Sequence, residues 1–244
     1  MSEQRDLEGM NALVTGATSG IGRAAAEALA RQGAAVIVHG RDVTRGEAVA
    51  SAIAAEGGKA RFVAADLSQP GGVDELIEQA GPVDILVNNA GFSWFGPTEE
   101  LDLATFEQLM VANVRAPYFL VAALAPAMVA RGGGSIINIG SMAGQVGMPG
   151  GAAYGATKAA LASMTRSWAA EFSPAGVRVN TVGAGPVYTA IQPPEVTEAV
   201  GATTIMARAA QPAEIASLIV FLASPKASYI TGAVIAADGG RTAI

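Results

Sequence analysis

A tyrosine and a lysine stand four residues apart in YGATKAAL, residues 154–161. On a helix, residues at that spacing share one face. Proton transfer is the chemistry such a pair can do. A free phenol, with a pKa of about 10, is a reluctant acid–base group at neutral pH. A cation beside it favours the phenolate, so Lys158 is expected to bring Tyr154 toward the working range. The same pattern also arises by chance, as a half-buried tyrosine beside a lysine whose stem covers apolar surface. What surrounds the pair decides between these readings.

Two more side chains are candidates for the same site. Ser141 closes the apolar run SIINIGS, which reads as a strand. Ligands of open α/β sheets are met at strand ends, where its hydroxyl could hold and polarise a carbonyl oxygen, or merely cap a turn. Asn113, in MVANVRAPYF, interrupts an apolar helical pattern. An amide there competes for backbone hydrogen bonds, and a satisfied kink ahead of Pro117 is the alternative to a functional role.

Upstream, LVTGATSGIG covers residues 13–22, with Gly16, Gly20 and Gly22 flanking Thr18, Ser19 and Ile21. An apolar strand runs into this turn and an Ala-rich helix follows. Glycines let the backbone approach a pyrophosphate, and a helix N-terminus offers unpaired N–H groups to its charge. The spacing is G-x-x-x-G-x-G rather than G-x-G-x-x-G, and an ordinary tight turn is the competing reading. Its place after the first strand of an alternating chain favours dinucleotide binding.

That alternation comprises strands at 11–15, 35–39, 60–65, 84–88, 135–140, 178–182 and 233–237, several of them almost continuously apolar. Strands buried on both faces read that way. Helical patterns lie near 20–32, 43–56, 70–80, 102–131, 152–173 and 212–223. The order predicts one α/β domain over 1–244, a parallel sheet with right-handed crossovers and helices on both faces. Residues 186–208, with paired prolines and no clear strand, are expected to form a mobile substrate flap outside the sheet.

Bulk properties narrow the partners. The chain of 244 residues is 51% hydrophobic, with a net charge of −6 and no cysteine. Nucleic acid and anionic membrane are disfavoured as partners. Thiolate catalysis, disulfides and Cys-ligated metals are excluded. His39, the one histidine, has no metal-ligand spacing and reads as a strand-end residue. The polar start lacks an apolar signal region, and the apolar stretch 116–130 falls short of the roughly 20 residues that span a bilayer. A cytoplasmic location is expected.

TGATSGIG, NNAG (88–91), NIGS (138–141) and YGATK (154–158) occur in the order of the short-chain dehydrogenase/reductase family. ITG followed by DGG near 230–240 is similar to that family's last strand, so the resemblance runs from Asn11 to Gly240. It implies a doubly wound Rossmann sheet of seven strands in the order 3-2-1-4-5-6-7, usually in a homotetramer. It further implies NAD(P)-dependent interconversion of a carbonyl and an alcohol by a tetrad of Asn113, Ser141, Tyr154 and Lys158. Lys158 would also bond the nicotinamide ribose, and Asn113 would anchor a water in a proton relay. Asp66 with Leu67 would meet the adenine, and Asn89, Ala90 and Gly91 the ribose and pyrophosphate path. Val187 and Thr189 would touch the nicotinamide carboxamide, although Ala184 stands where relatives usually have proline.

NAD-using relatives often place an acid at the end of the second strand, where this chain has Gly40 followed by Arg41. An acid repels a 2′-phosphate, whereas an arginine clamps it, which favours NADP(H) over NAD(H). Asp42, next in sequence, weakens that reading. Trp94, Met148, Tyr188 and Ile191, with Phe92, are expected to wall an apolar pocket, Trp94 and Phe95 being equally suited to a subunit contact. The expected activity is reduction of a ketone, with a 3-oxoacyl-carrier-protein reductase as runner-up and an idle dinucleotide-binding scaffold as a third reading. Arginines that dock the acidic carrier in such reductases are replaced by Gly132 and Ala175, with Arg131 adjacent.

Overall fold

Seven short, apolar strands alternate with helices, and each finds a parallel neighbour. They are β1 (Asn11–Val14), β2 (Ala35–Gly40), β3 (Lys59–Ala64), β4 (Ile85–Asn88), β5 (Gly134–Ser141), β6 (Val177–Ala184) and β7 (Val234–Ala237). The computed structural model describes residues 5–189 and 192–244. The sheet order is β3-β2-β1-β4-β5-β6-β7, as expected. Strand ends differ from the sequence reading by one or two residues, chiefly because β5 and β6 extend at both ends.

Helices α1 (Gly20–Arg31), α2 (Val43–Ala55), α3 (Gly72–Ala80), α4 (Leu103–Met110), α5 (Ala116–Ala130), α6 (Ala152–Phe172), α7 (Pro194–Gly201) and α8 (Pro212–Ala223) cover the two faces. Alternate strand residues feed two cores. Val14, Val36 and Val38 pack with Leu29 of α1, Ile53 of α2 and Ile219 of α8. Leu13, Ile37 and Leu86 pack with Leu76 of α3, Leu120 of α5 and Leu161 of α6.

The expected helix at 102–131 is not uniform. A π-helical turn, Val111–Arg115, separates α4 from α5. The whole run Leu103–Ala130 is long and apolar enough to cross a bilayer, unlike the shorter stretch seen in the sequence. Its inward face, including Leu109, Leu120, Val121, Leu124 and Met128, is nevertheless buried.

Residues 192–208 contain α7, a helix that the sequence pattern did not display. Pro194 opens it, where the missing N–H costs nothing, and Gly201 closes it. Ala184 is an ordinary strand residue, in register with Ser141 on one side and Ala237 on the other. The sheet order reverses between β1 and β4, and their carboxyl ends lead into the glycine turn and into NNAG. Ligands of doubly wound sheets bind at such a reversal.

Candidate active site

The glycine turn is shaped by contacts that only glycine permits. Gly16 and Gly20 have φ of +63° and +54°, a region costly for other residues. A Cβ on Gly22 would collide with Asn89 Nδ2 and Gly16 O. Asn89 Nδ2 donates to Thr15 O and Gly16 O at 2.9 and 3.1 Å. Thr15 Oγ1 accepts from the N–H groups of Asn89 and Ala90, both at 3.0 Å. Asn89 therefore braces the turn. Ser19 precedes α1 without a side-chain cap, leaving the helix N-terminus to other acceptors. Thr189 lies over the turn, its methyl 3.1 Å from where a Cβ on Gly20 would stand.

His39 is more than a strand-end residue. Gly16 N–H donates to its Nδ1 at 3.4 Å, which puts the proton on Nε2, 3.2 Å from Ala65 O. Burial first, with a small push from Arg41, lowers its pKa to about 4, against the Ala65 bond and Asp66. The neutral ring thus ties the glycine turn to the end of β3.

At the end of β2, a Cβ on Gly40 would press on the Thr18 methyl. Asp42 caps α2 by accepting from Arg45 N–H and is salt-bridged to Arg45 at 2.7 Å. It therefore does not neutralise exposed Arg41, whose guanidinium has no hydrogen bond or ion pair among the described residues. Asp66 caps its own turn, accepting from Ser68 N–H and Oγ at 3.0 and 2.8 Å. Leu67 is buried beside it.

Ser141, Tyr154, Lys158 and Asn113 converge at the carboxyl end of β5. Lys158 Nζ donates to Ile139 O at 2.9 Å and sits 5.7 Å from the Tyr154 ring centroid. Burial raises the Tyr154 phenol, and a hydrogen bond with Ser141 opposes it. Burial also pushes Lys158 down to about 8. The lysine stands beside the phenol ring without bonding its oxygen. It is itself desolvated, and a backbone carbonyl rather than the phenol oxygen takes its hydrogen bond.

Asn113 is buried within the π-helical turn, a distortion frequent at functional sites. Its Oδ1 accepts from Phe92 N–H at 3.1 Å, and its Nδ2 donates to Phe92 O and Thr157 Oγ1 at 2.9 and 3.1 Å. Thr157 Oγ1 in turn donates to Tyr154 O at 2.7 Å. A Cβ on Gly91 would lie 2.5 Å from Asn113 Oδ1 and 3.8 Å from Lys158 Nζ. Thr157 was not singled out in the sequence; its place one turn after Tyr154 was the available signal.

The expected pocket residues separate. Met148 lines a cavity of about 470 Å³ with Met142, Val146, Val196 and Val200, beginning one residue past Ser141. Tyr188 instead lines a cleft with Gly20 and Thr189. Trp94 lies against Gly96, and Phe95 contacts the Tyr154 ring at 5.4 Å between centroids. Val187 bridges to Ala210. Ile191 lies outside the described residues. Among the described residues, no group of three or more His, Asp or Glu is placed to hold a metal ion.

Residues 16–242 match a family model described as enoyl-(acyl carrier protein) reductase. Galactitol 2-dehydrogenase (L-tagatose-forming) of Cereibacter sphaeroides is 41% identical, over 97% of this chain and 96% of its own. A solved structure described as a short chain dehydrogenase/reductase family protein is 52% identical with a TM-score of 0.91, covering 98% of this chain and 100% of its own. An angucycline C-6 ketoreductase crystallised with bound NADP is 38% identical with a TM-score of 0.92, over 98% of each chain.

Proposed function

Because the chain belongs to the short-chain dehydrogenase/reductase family of oxidoreductases, we propose that it reduces a ketone to a secondary alcohol, reversibly, with NADPH. NADPH, when bound, supplies the hydride. The residues suit that cofactor: the glycine turn and the uncapped start of α1 can receive a pyrophosphate, and Arg41 is available for the 2′-phosphate. Asp66 and Leu67 are assigned to the adenine, Ala90 and Gly91 to the ribose path, and Val187 and Thr189 to the nicotinamide end. The NADP seen in the related ketoreductase supports this choice.

In this reading Ser141 holds the substrate carbonyl oxygen and Tyr154 gives it a proton. The protonated phenol is the form that donates in reduction, and the Lys158 cation beside it favours release of that proton. Lys158 orients the cofactor ribose and begins the path by which the proton is replaced. Asn113 Oδ1 retains a lone pair beyond the Phe92 bond, enough to hold a relay water. The observation that carries the proposal is the convergence of Ser141, Tyr154 and Asn113 around buried Lys158 at the carboxyl end of β5. An idle scaffold would need none of these groups.

The description of the family model gives one reason to keep an acyl-carrier thioester as the second substrate reading. We further propose a cytoplasmic homotetramer acting without nucleic acid or membrane. Exposed Leu103, Phe106, Met110, Tyr118 and Phe119 on α4 and α5 support an oligomer, and sedimentation tests it. For the chemistry, a ketone panel with NADPH should show turnover that Tyr154→Phe reduces at least about 100-fold while NADPH still binds. Near-normal turnover by the variant would overturn the assignment.

A further inference from the structure

The cavity beyond Ser141 is walled mostly by methionine, valine, alanine and proline, yet Arg241 also lines it. Six other arginines, at 5, 23, 31, 45, 131 and 208, have a carboxylate partner in a salt bridge. The Arg241 guanidinium has no hydrogen bond or ion pair among the described residues, although its backbone is firmly held. Its N–H donates to Asp238 O at 3.2 Å. The nearby carboxylate of Asp238 accepts from Gly240 N–H, Thr242 N–H and Thr242 Oγ1 at 2.9, 2.9 and 2.6 Å. Asp238 therefore spends its charge on the turn that presents Arg241 and does not neutralise the arginine. Glu195, exposed on the α7 wall, forms no ion pair with it either.

We propose that Arg241 binds a carboxylate on the substrate, so that the preferred substrates are apolar keto acids whose ketone meets Ser141 and Tyr154. This rests on the ketone-reductase reading and names its substrate class. A cation in a mostly apolar cavity favours an anion that satisfies it, and a charge-assisted bond of this kind is worth roughly ten- to a hundredfold in affinity. The protein's net charge of −6 opposes anions at a distance, which leaves a local arginine to supply the preference.

The test compares kcat/KM, with NADPH saturating, for 6-oxoheptanoate, its methyl ester and the acetoacetyl thioester of 4′-phosphopantetheine. The acid should exceed the ester by at least about tenfold. Arg241→Gln should bring that ratio close to one, and Arg241→Lys should restore part of it. A wild-type ratio near one with the ester turned over, or an advantage that survives Arg241→Gln, would overturn the proposal while leaving the reductase reading intact. An Arg241-dependent preference for the pantetheine thioester would assign the arginine to a phosphate and overturn the keto-acid reading. No NADPH-dependent turnover of any of the three would remove the reductase reading, and the proposal with it.

Discussion

Lys158 burdens the fold that holds it. Its pKa falls from 10.5 to about 8 on burial. Between those values the unfolded chain binds the proton and the folded chain does not, so stability rises with pH across that window. Below pH 8 both states are protonated and the folded one carries the full penalty, on the order of 3 kcal/mol. Lys158→Met should therefore be more stable than the parent at pH 7, by an amount that shrinks at pH 9.5. The Ile139 carbonyl loses its partner in the variant, which offsets part of the gain at both pH values. Urea midpoints at the two pH values check this; a difference independent of pH would show that Lys158 carries no such penalty. Arg41 shows the opposite arrangement, an exposed cation with no hydrogen bond or ion pair among the described residues. Arg41→Ala should weaken NADPH binding about ten- to a hundredfold and leave NADH nearly unchanged. Dissociation constants for both nucleotides decide it, and equal affinities in the parent would remove the assignment of the 2′-phosphate to Arg41.

At the scale of elements, the site depends on ties between backbone and side chain. His39 joins the glycine turn to the end of β3, and Asn113 joins the Phe92 loop to α6 through Thr157. His39→Leu keeps the bulk and removes the acceptor for Gly16 N–H. It should raise the NADPH dissociation constant by about tenfold with a smaller effect on kcat. An unchanged constant would reduce the ring to packing. These ties explain which parts could be read in the chain. The strands announced themselves because runs such as AVIV are buried on both faces. The tetrad stood out because Asn, Ser, Tyr and Lys interrupt apolar or small-residue stretches. His39 looked idle because its partners are main-chain atoms distant in sequence, which no side-chain pattern displays. The π-helical turn escaped because α4 and α5 form one continuous apolar pattern. Helix α7 escaped because its proline pair resembles a break, whereas Pro194 is a helix start.

The molecule as a whole carries a net charge of −6, and its few cations are mostly committed. This bears on an acyl-carrier protein, which is strongly acidic. Docking one needs a basic patch, because complementary charge chiefly raises the association rate. Gly132 and Ala175 stand where the family resemblance implies docking arginines in carrier-using reductases. Arg131, the available substitute, bridges to Asp84 at 3.2 Å and also donates to Val83 O. It precedes the amino end of β5, whereas Ser141 closes the other end. Eight residues of strand separate those ends by roughly 23 Å. Arg131 is thus drawn into holding β4 and lies far from the reacting atoms. Free ketones should accordingly exceed an acetoacetyl-carrier thioester in kcat/KM, and added salt should change the thioester value little. Like charge repels the carrier over a Debye length of about 10 Å at 0.1 M salt, so any salt effect should be a mild increase. A thioester advantage that collapses as salt rises would reveal a basic docking surface and make the carrier-protein reductase the better reading.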